Sequence, residues 1–160
     1  MSEKETAGLE EEVIKIYRVG HMEKGGRRLR YTAMVVVGDK NGTVGLGYGK
    51  ANQVPAAVEK AVKIARKSAV KVARHGNTIP HQIMARYEAS KVLLKPASSG
   101  TGVIAGPAVR AVLEAAGIKD ILSKSFGTNN AKNLAKATWE GLKSLRSKEE
   151  VEGLRGVKLQ

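Results

Sequence analysis

Three stretches of this 160-residue chain have the residue types and spacing of reactive or anion-binding sites. Gly45-Leu46-Gly47-Tyr48-Gly49-Lys50 has the glycine density of a nucleotide loop. A Walker loop, however, needs glycine where Val44 stands and Ser or Thr where Ala51 stands, and the dinucleotide fingerprint needs another spacing. Glycines at every second position of a strand instead let a helix or an RNA backbone approach one face closely. The second stretch, Ala97-Ser98-Ser99-Gly100-Thr101-Gly102, leads toward a helix start, where backbone N–H groups favour anions. The third, Lys24-Gly25-Gly26-Arg27-Arg28, is a Gly-Gly turn with three cations. Catalytic sets are missing. No Gly-x-Ser-x-Gly elbow occurs, carboxylates are isolated or terminal, and His21, His75 and His81 have no partners at metal-ligand spacing. The chain is expected to be no enzyme and to need no metal or cofactor.

Composition points to a polyanionic partner. Lys+Arg number 28 against 15 Asp+Glu, a formal charge of +13, and such a field concentrates polyanions at the surface. An apolar fraction of 42% suits a folded domain, while 4% aromatics leave no broad base-stacking platform. Cysteine is absent, which excludes disulfides and thiolate sites. The apolar runs fall short of the roughly 20 residues of a membrane helix, and Met1 to Glu12 lack the apolar core of a secretory signal. A soluble intracellular protein is expected. The charge is unevenly placed: −4 from Met1 to Ile14, +11 from Lys15 to Arg74, and +6 from His81 to Gln160. The shift, punctuated by Gly76 and Pro80, divides the chain into a flexible acidic N-terminus (1–10), a first domain (11–74), a linker (75–81), a second domain (82–146) and a tail (147–160).

The elements that must carry these residues follow from periodicity. Val13 to Val19 reads as a strand, and Leu29, Tyr31, Ala33, Val35 and Val37 alternate with Arg28, Arg30 and Thr32 in a second. Asn41-Gly42 predicts a two-residue type I′ hairpin. In the strand Thr43 to Lys50, Val44, Leu46 and Tyr48 take one side and the three glycines the other. Gln53 to Arg74 reads as a helix with an alanine-rich stripe and, opposite, Lys60, Lys63, Lys67, Lys71 and Arg74. Glu59 is its only acid, so the lysine face reads as phosphate-facing rather than merely solvated. The second half predicts strands at Gln82 to Glu88 and Ser90 to Pro96, a helix from Pro107 stopped by Gly117, and a strand within Ile118 to Phe126. A last helix, Ala131 to Arg146, buries Leu134, Ala135, Thr138, Leu142 and Leu145. Trp139 falls on its lysine side, either as a stacking ring or, more commonly, as a lid on the core edge. Arg110 and Glu114 share an exposed helix face, and the tail either frays or docks as a short helix.

A three-stranded antiparallel sheet backed by one helix, with a cationic hairpin tip, resembles the double-stranded RNA-binding domain, which reads phosphate and 2′-OH shape. With Val37-Gly38-Asp39, Val54-Pro55-Ala56-Ala57 and Gly100-Thr101-Gly102-Val103-Ile104-Ala105-Gly106, the chain closely resembles the bacterial small-subunit ribosomal protein five family over roughly Leu9 to Arg146. That resemblance implies an α+β fold whose second, β-α-β domain is shared with the small-molecule kinases named for galactose, homoserine and mevalonate. The Ser-Ser those kinases carry after the loop is Val103-Ile104 here, so their chemistry is not expected. The resemblance further implies a cytoplasmic, structural constituent of the small subunit. It would bind 16S rRNA at the head–body junction near the spectinomycin site and touch ribosomal proteins four and eight. It would also line the channel by which mRNA enters and support translational accuracy. RNA contacts are expected from Arg18, Lys24, Gly25, Gly26, Arg27, Arg28 and Arg30; from Gly45, Gly47, Gly49 and Lys50; and from Lys60, Lys63, Lys67 and Lys71. Gly100, Thr101, Gly102 and Arg110 would face protein four. The alternative is a free double-stranded RNA-binding module or RNA chaperone.

Overall fold

A computed structural model describes residues 8–156; residues 1–7 of the acidic start and 157–160 of the tail lie outside the described residues. β1 (Glu10–Glu23) and β2 (Gly26–Gly38) form one long antiparallel ribbon that turns at Lys24-Gly25, and β3 (Thr43–Ala51) pairs with β2. The link from β2 to β3 spans four residues, not the two expected at Asn41-Gly42: Lys40 (φ 56°) and Gly42 (φ 108°) take positive φ, and Asn41 does not. Asp39 accounts for the difference. Its Oδ1 accepts hydrogen bonds from the N–H groups of Asn41 (2.7 Å) and Thr43 (2.8 Å), so the side chain organises a wider turn. Burial pushes this carboxyl up, but the backbone donors of Thr43 and Asn41 outweigh it and hold it below the usual carboxylate value.

α1 (Val54–Lys67) lies across β3 on the glycine side. A Cβ at Gly49, Gly47 or Gly45 would strike the carbonyl oxygen of Ala57, Ala61 or Ala65 in turn. Two residues of strand advance about 6.7 Å and four residues of helix about 6 Å, so each glycine meets one alanine per helical turn. α1 stops at Lys67 and not at Arg74 because Ser68 is tied to the sheet: its Oγ donates to Leu46 O (2.8 Å) and accepts from Leu46 N–H (3.2 Å). The chain then forms β4 (Val70–Lys71), which pairs with Val44 and Thr43 and extends the expected three-stranded sheet to four in the order β1-β2-β3-β4.

The second half contains β5 (Ile83–Tyr87), β6 (Ser90–Pro96), β7 (Val103–Ile104), α2 (Pro107–Ala115), β8 (Ile121–Gly127), α3 (Ala131–Lys143) and α4 (Lys148–Arg155). Its sheet runs β5-β6-β8-β7, and β7 is parallel to β8, so β7-α2-β8 is the expected β-α-β unit. Pro107 opens α2 and Gly117, at φ 77°, closes it. α4 begins with a full capping box from Ser147 and Glu150, and none of its residues is buried.

Both faces of the first sheet are covered. Ala33, Val35 and Val37 pack on Ala57, Ala61 and Ala65 of α1. Met34, Val36, Val44 and Leu46, on the other face, share a core with Val112 and Leu113 of α2, Leu134 and Leu142 of α3, and Val92, Leu94 and Ile121 of the second sheet. The molecule is therefore a stack of four layers: α1, first sheet, α2 with α3, second sheet. Ile79, between the two halves, is 1% exposed in that shared core. Arg74 fastens the halves from outside, donating to Asn41 O (2.8 Å) and, more weakly, to the carbonyls of Lys40 and Gly117. Among the described residues no helix is long and apolar enough to cross a membrane.

Candidate nucleic-acid interface

Strand alternation distributes the ribbon cations over two faces. Directly paired residues share a face, and the pairs Ile16–Ala33, Arg18–Tyr31 and Met22–Arg27 put Arg18 and Arg27 on the α1 side. The pairs His21–Arg28, Val19–Arg30 and Thr32–Lys50 put Arg28, Arg30 and Lys50 on the other. There they line a hollow of about 320 Å³ with Val19 and His21. Residues 20–28 are all exposed, and Lys24, Gly25 and Gly26 form the tip. Glu23 pairs with Arg28 (3.0 Å), a surface contact of little energy. Gly20 leaves room for the Arg27 guanidinium, whose Nε lies 2.7 Å from where a Cβ would be.

Lys60, Lys63 and Lys67 stand exposed on the outside of α1, and none has an ion-pair partner among the described residues. Arg66, beside them, is taken by Glu11 of β1 at 2.7 Å. Two parts of the expected RNA set lie elsewhere. Gly45, Gly47 and Gly49 are buried beneath α1, so their missing side chains admit the helix backbone and leave no surface for RNA. Lys71 belongs to β4 rather than to the helix face; it lines a separate cleft of about 1020 Å³ with Arg74, Lys143 and Arg146.

The small-residue loop is organised from within. Gly100 and Gly102 both donate their N–H to Oδ1 of Asp120, each at 3.0 Å, and Asp120 is 5% exposed. Two of the donors that an anion-binding loop would offer are thus already satisfied by a carboxylate of the chain itself. Thr101 Oγ1 closes the turn onto Ser98 O (2.8 Å). Arg110, on α2, donates to Val103 O (3.3 Å) and forms no ion pair with Glu114, so Gly100, Thr101, Gly102 and Arg110 are gathered at one end of the second half. No group of three potential metal ligands occurs among the described residues.

Sequence profiles described as "Ribosomal protein S5, N-terminal domain" and "Ribosomal protein S5, C-terminal domain" match residues 9–73 and 85–155. The chain belongs to the ribosomal protein S5 family. Small ribosomal subunit protein uS5 of Rubrobacter xylanophilus is similar to it at 53% identity over 152 residues, 95% of this chain and 76% of that protein. Members of the S5 family are structural, rRNA-binding proteins of translation, and this chain is not an enzyme.

Other cations of this S5-family chain are spent internally in a way that composition does not reveal. Lys132 lies over the Tyr48 ring (4.5 Å), Lys136 over Tyr87 (4.6 Å) and Lys143 over Trp139 (4.3 Å). Trp139 is part-buried against the shared core and donates Nε1–H to Val44 O (3.4 Å), which settles its place at the core edge. The signal available in the sequence was the spacing of Lys132, Lys136, Trp139 and Lys143 along one helix face; the rings that Lys132 and Lys136 cover come from β3 and β5, far away in the chain.

Proposed function

We propose that this chain is a structural constituent of the small ribosomal subunit that binds 16S rRNA where the head meets the body, through the β1–β2 ribbon and the lysine face of α1. The observation that carries this reading is the two-sidedness of the ribbon: Arg18 and Arg27 on one face, Arg28 and Arg30 on the other, around an exposed tip. Cations on both faces suit a ribbon inserted between two stretches of RNA backbone, each face displacing its own condensed counterions. A ribbon lying on one duplex, as in a free double-stranded RNA-binding module, needs them on one face only.

In the same proposal segment 11–74 takes the RNA and segment 82–146, joined through 75–81, takes protein. Ribosomal protein four faces Gly100, Thr101, Gly102 and Arg110, ribosomal protein eight is the second protein contact, and the contact with four bears on translational accuracy. Cations of the chain also help to line the channel by which mRNA enters. The anchoring of the loop by Asp120 supports a rigid protein contact in preference to a phosphate loop.

The test is the salt dependence of 16S rRNA binding by the full chain and by its Arg27→Glu/Arg28→Glu variant. Every phosphate that the variant no longer neutralises lowers the slope of log affinity against log salt by about 0.7–0.9. A drop of roughly 1.4–1.8 is therefore expected from the pair. An unchanged slope, or equal affinity for arbitrary duplexes, sinks the proposal.

A further inference from the structure

The tip of the β1–β2 ribbon lies far from the joint between the two halves. From Gly26 to Gly38 β2 covers about 40 Å, and the turn that follows it, at Lys40 and Asn41, is where Arg74 ties the halves together. Beside that turn opens the cleft of about 1020 Å³. Its walls come from both halves: Lys71 and Arg74 from β4 and the segment after it, Lys143 and Arg146 from the end of α3 and the residues beyond.

These cations face one another with little to neutralise them. Lys71, Arg74 and Arg146 are in no ion pair among the described residues, and Lys143 has Glu140 at 3.5 Å. Arg74 is held by three carbonyls, which occupy part of its fork of donors and leave its charge in place. Two acids also line the cleft, Glu149 and Glu150, and Glu150 is turned to the N–H of Ser147 (3.0 Å) in the cap of α4. Like charges gathered across a joint repel until an anion lies between them.

We infer that this cleft seats the sugar–phosphate backbone of a second stretch of rRNA, and that the bound phosphates fasten the two halves of the chain. The walls select the ligand. Asn41 and Ser147 stand among the cations, and Ser147 Oγ accepts the N–H of Glu150 (3.2 Å), which leaves its hydrogen for a phosphate or ribose oxygen. None of the large exposed hydrophobics of the described residues lines the cleft, although a protein contact needs an apolar centre. No aromatic ring lines it either, so the contact is to backbone and not to stacked bases. A distance of about 40 Å is several Debye lengths at physiological salt, so the ribbon tip and the cleft act as independent sites. The inference rests on the placement in the small subunit proposed above and adds to it a second RNA anchor at the opposite end of β2.

The full chain, its Lys71→Gln/Arg146→Gln variant, its Arg27→Glu/Arg28→Glu variant and the quadruple variant are compared for the salt dependence of 16S rRNA binding. Loss of two phosphate contacts from the cleft lowers the slope by about 1.4–1.8, and the drops of the two pairs are expected to add. Hydrogen exchange reads the fastening: the N–H groups of Lys40 and Lys119 donate across the joint to Ala115 O (3.1 Å) and Asn77 O (2.9 Å), and are expected to exchange roughly tenfold more slowly in the rRNA complex of the parent than in that of Lys71→Gln/Arg146→Gln. Because the chain has no cysteine, Ser144→Cys and Gly25→Cys can each carry an azidophenacyl group into small subunits, where they are expected to crosslink to different nucleotides of 16S rRNA. An unchanged slope in Lys71→Gln/Arg146→Gln beside the expected drop in Arg27→Glu/Arg28→Glu overturns the cleft alone. Crosslinks from Ser144→Cys confined to protein, or to added mRNA, overturn the ligand. Equal exchange in the two complexes overturns the fastening. No drop in either pair overturns the placement itself, and the cleft with it.

Discussion

Gly47 lies beneath Ala61 with no space between them: a Cβ on the glycine would collide with the Ala61 carbonyl oxygen. The contact is between backbones, so no rotamer change can relieve it, and α1 must lift off β3 to admit even a methyl group. Gly47→Ala is expected to cost about 3 kcal/mol, the upper part of the range for overfilled cores. Gly25→Ala, at the ribbon tip with nothing within 4 Å, is expected to stay within about 0.5 kcal/mol. Denaturant midpoints of the two variants check this, and equal midpoints contradict it.

Thr32 supplies a change in the opposite direction. It is 1% exposed, and its Oγ1 has no hydrogen-bond partner among the described residues. An unpartnered buried hydroxyl costs about 1–3 kcal/mol of desolvation. Thr32→Val, which keeps the shape, is expected to raise the melting temperature by about 2–4 °C, the shift that roughly 1 kcal/mol produces at this size. A lower melting temperature rules it out.

Asp39 links stability to pH. Its folded carboxyl is held below the ordinary value by the donors of Thr43 and Asn41. Its contribution is therefore fully present above the unfolded value near about 3.9 and is lost as pH falls through the lower folded value. Asp39→Asn should be less stable than the parent at neutral pH, with the gap closing below about pH 4. A gap that stays constant from neutral to strongly acidic pH would show that the carboxylate plays no such part.

Asp120 holds the loop that reaches toward β7. Removing it strands two N–H groups of Gly100 and Gly102, and bonds to a charged acceptor are worth about 1.5–3 kcal/mol. Asp120→Ala is expected to lower stability by about 2 kcal/mol and to make the Ser98–Gly102 loop the first site of proteolysis. Asp120→Asn, which keeps an acceptor oxygen, should fall between. Unchanged cleavage in both variants would mean the loop is fixed by other contacts.

The features legible in the sequence were those written in local periodicity. Gly45, Gly47 and Gly49 alternating with Val44, Leu46 and Tyr48 announced a strand with one closely approached face, and Pro107 with Gly117 bracketed α2 almost to the residue. What stayed hidden depends on partners distant in the chain. The end of α1 at Lys67 is decided by a serine bonded to Leu46, 22 residues earlier, and without that bond Lys71 and Arg74 continue the lysine spacing. Lysines on a helix look alike in sequence, yet Lys60 faces solvent while Lys132, Lys136 and Lys143 lie over aromatic rings. The alternation in β2 correctly marked Ala33, Val35 and Val37 as core; that Met34 and Val36 are equally buried follows only from where α2 and α3 fold back.

The sharing of α2 and α3 by both sheets has a consequence for the order of events at synthesis. Met34, Val36, Val44 and Leu46 leave the ribosome about a hundred residues ahead of the end of α3, the last helix that covers them. At about 5–20 residues per second that interval is roughly 5–20 s. During it the nascent N-terminal sheet, already closed by α1 on one side, presents a wet row of Met, Val and Leu on the other. Chain order thus leaves that face uncovered for seconds at synthesis, and moving α2 and α3 ahead of β1 by circular permutation would shorten its exposure.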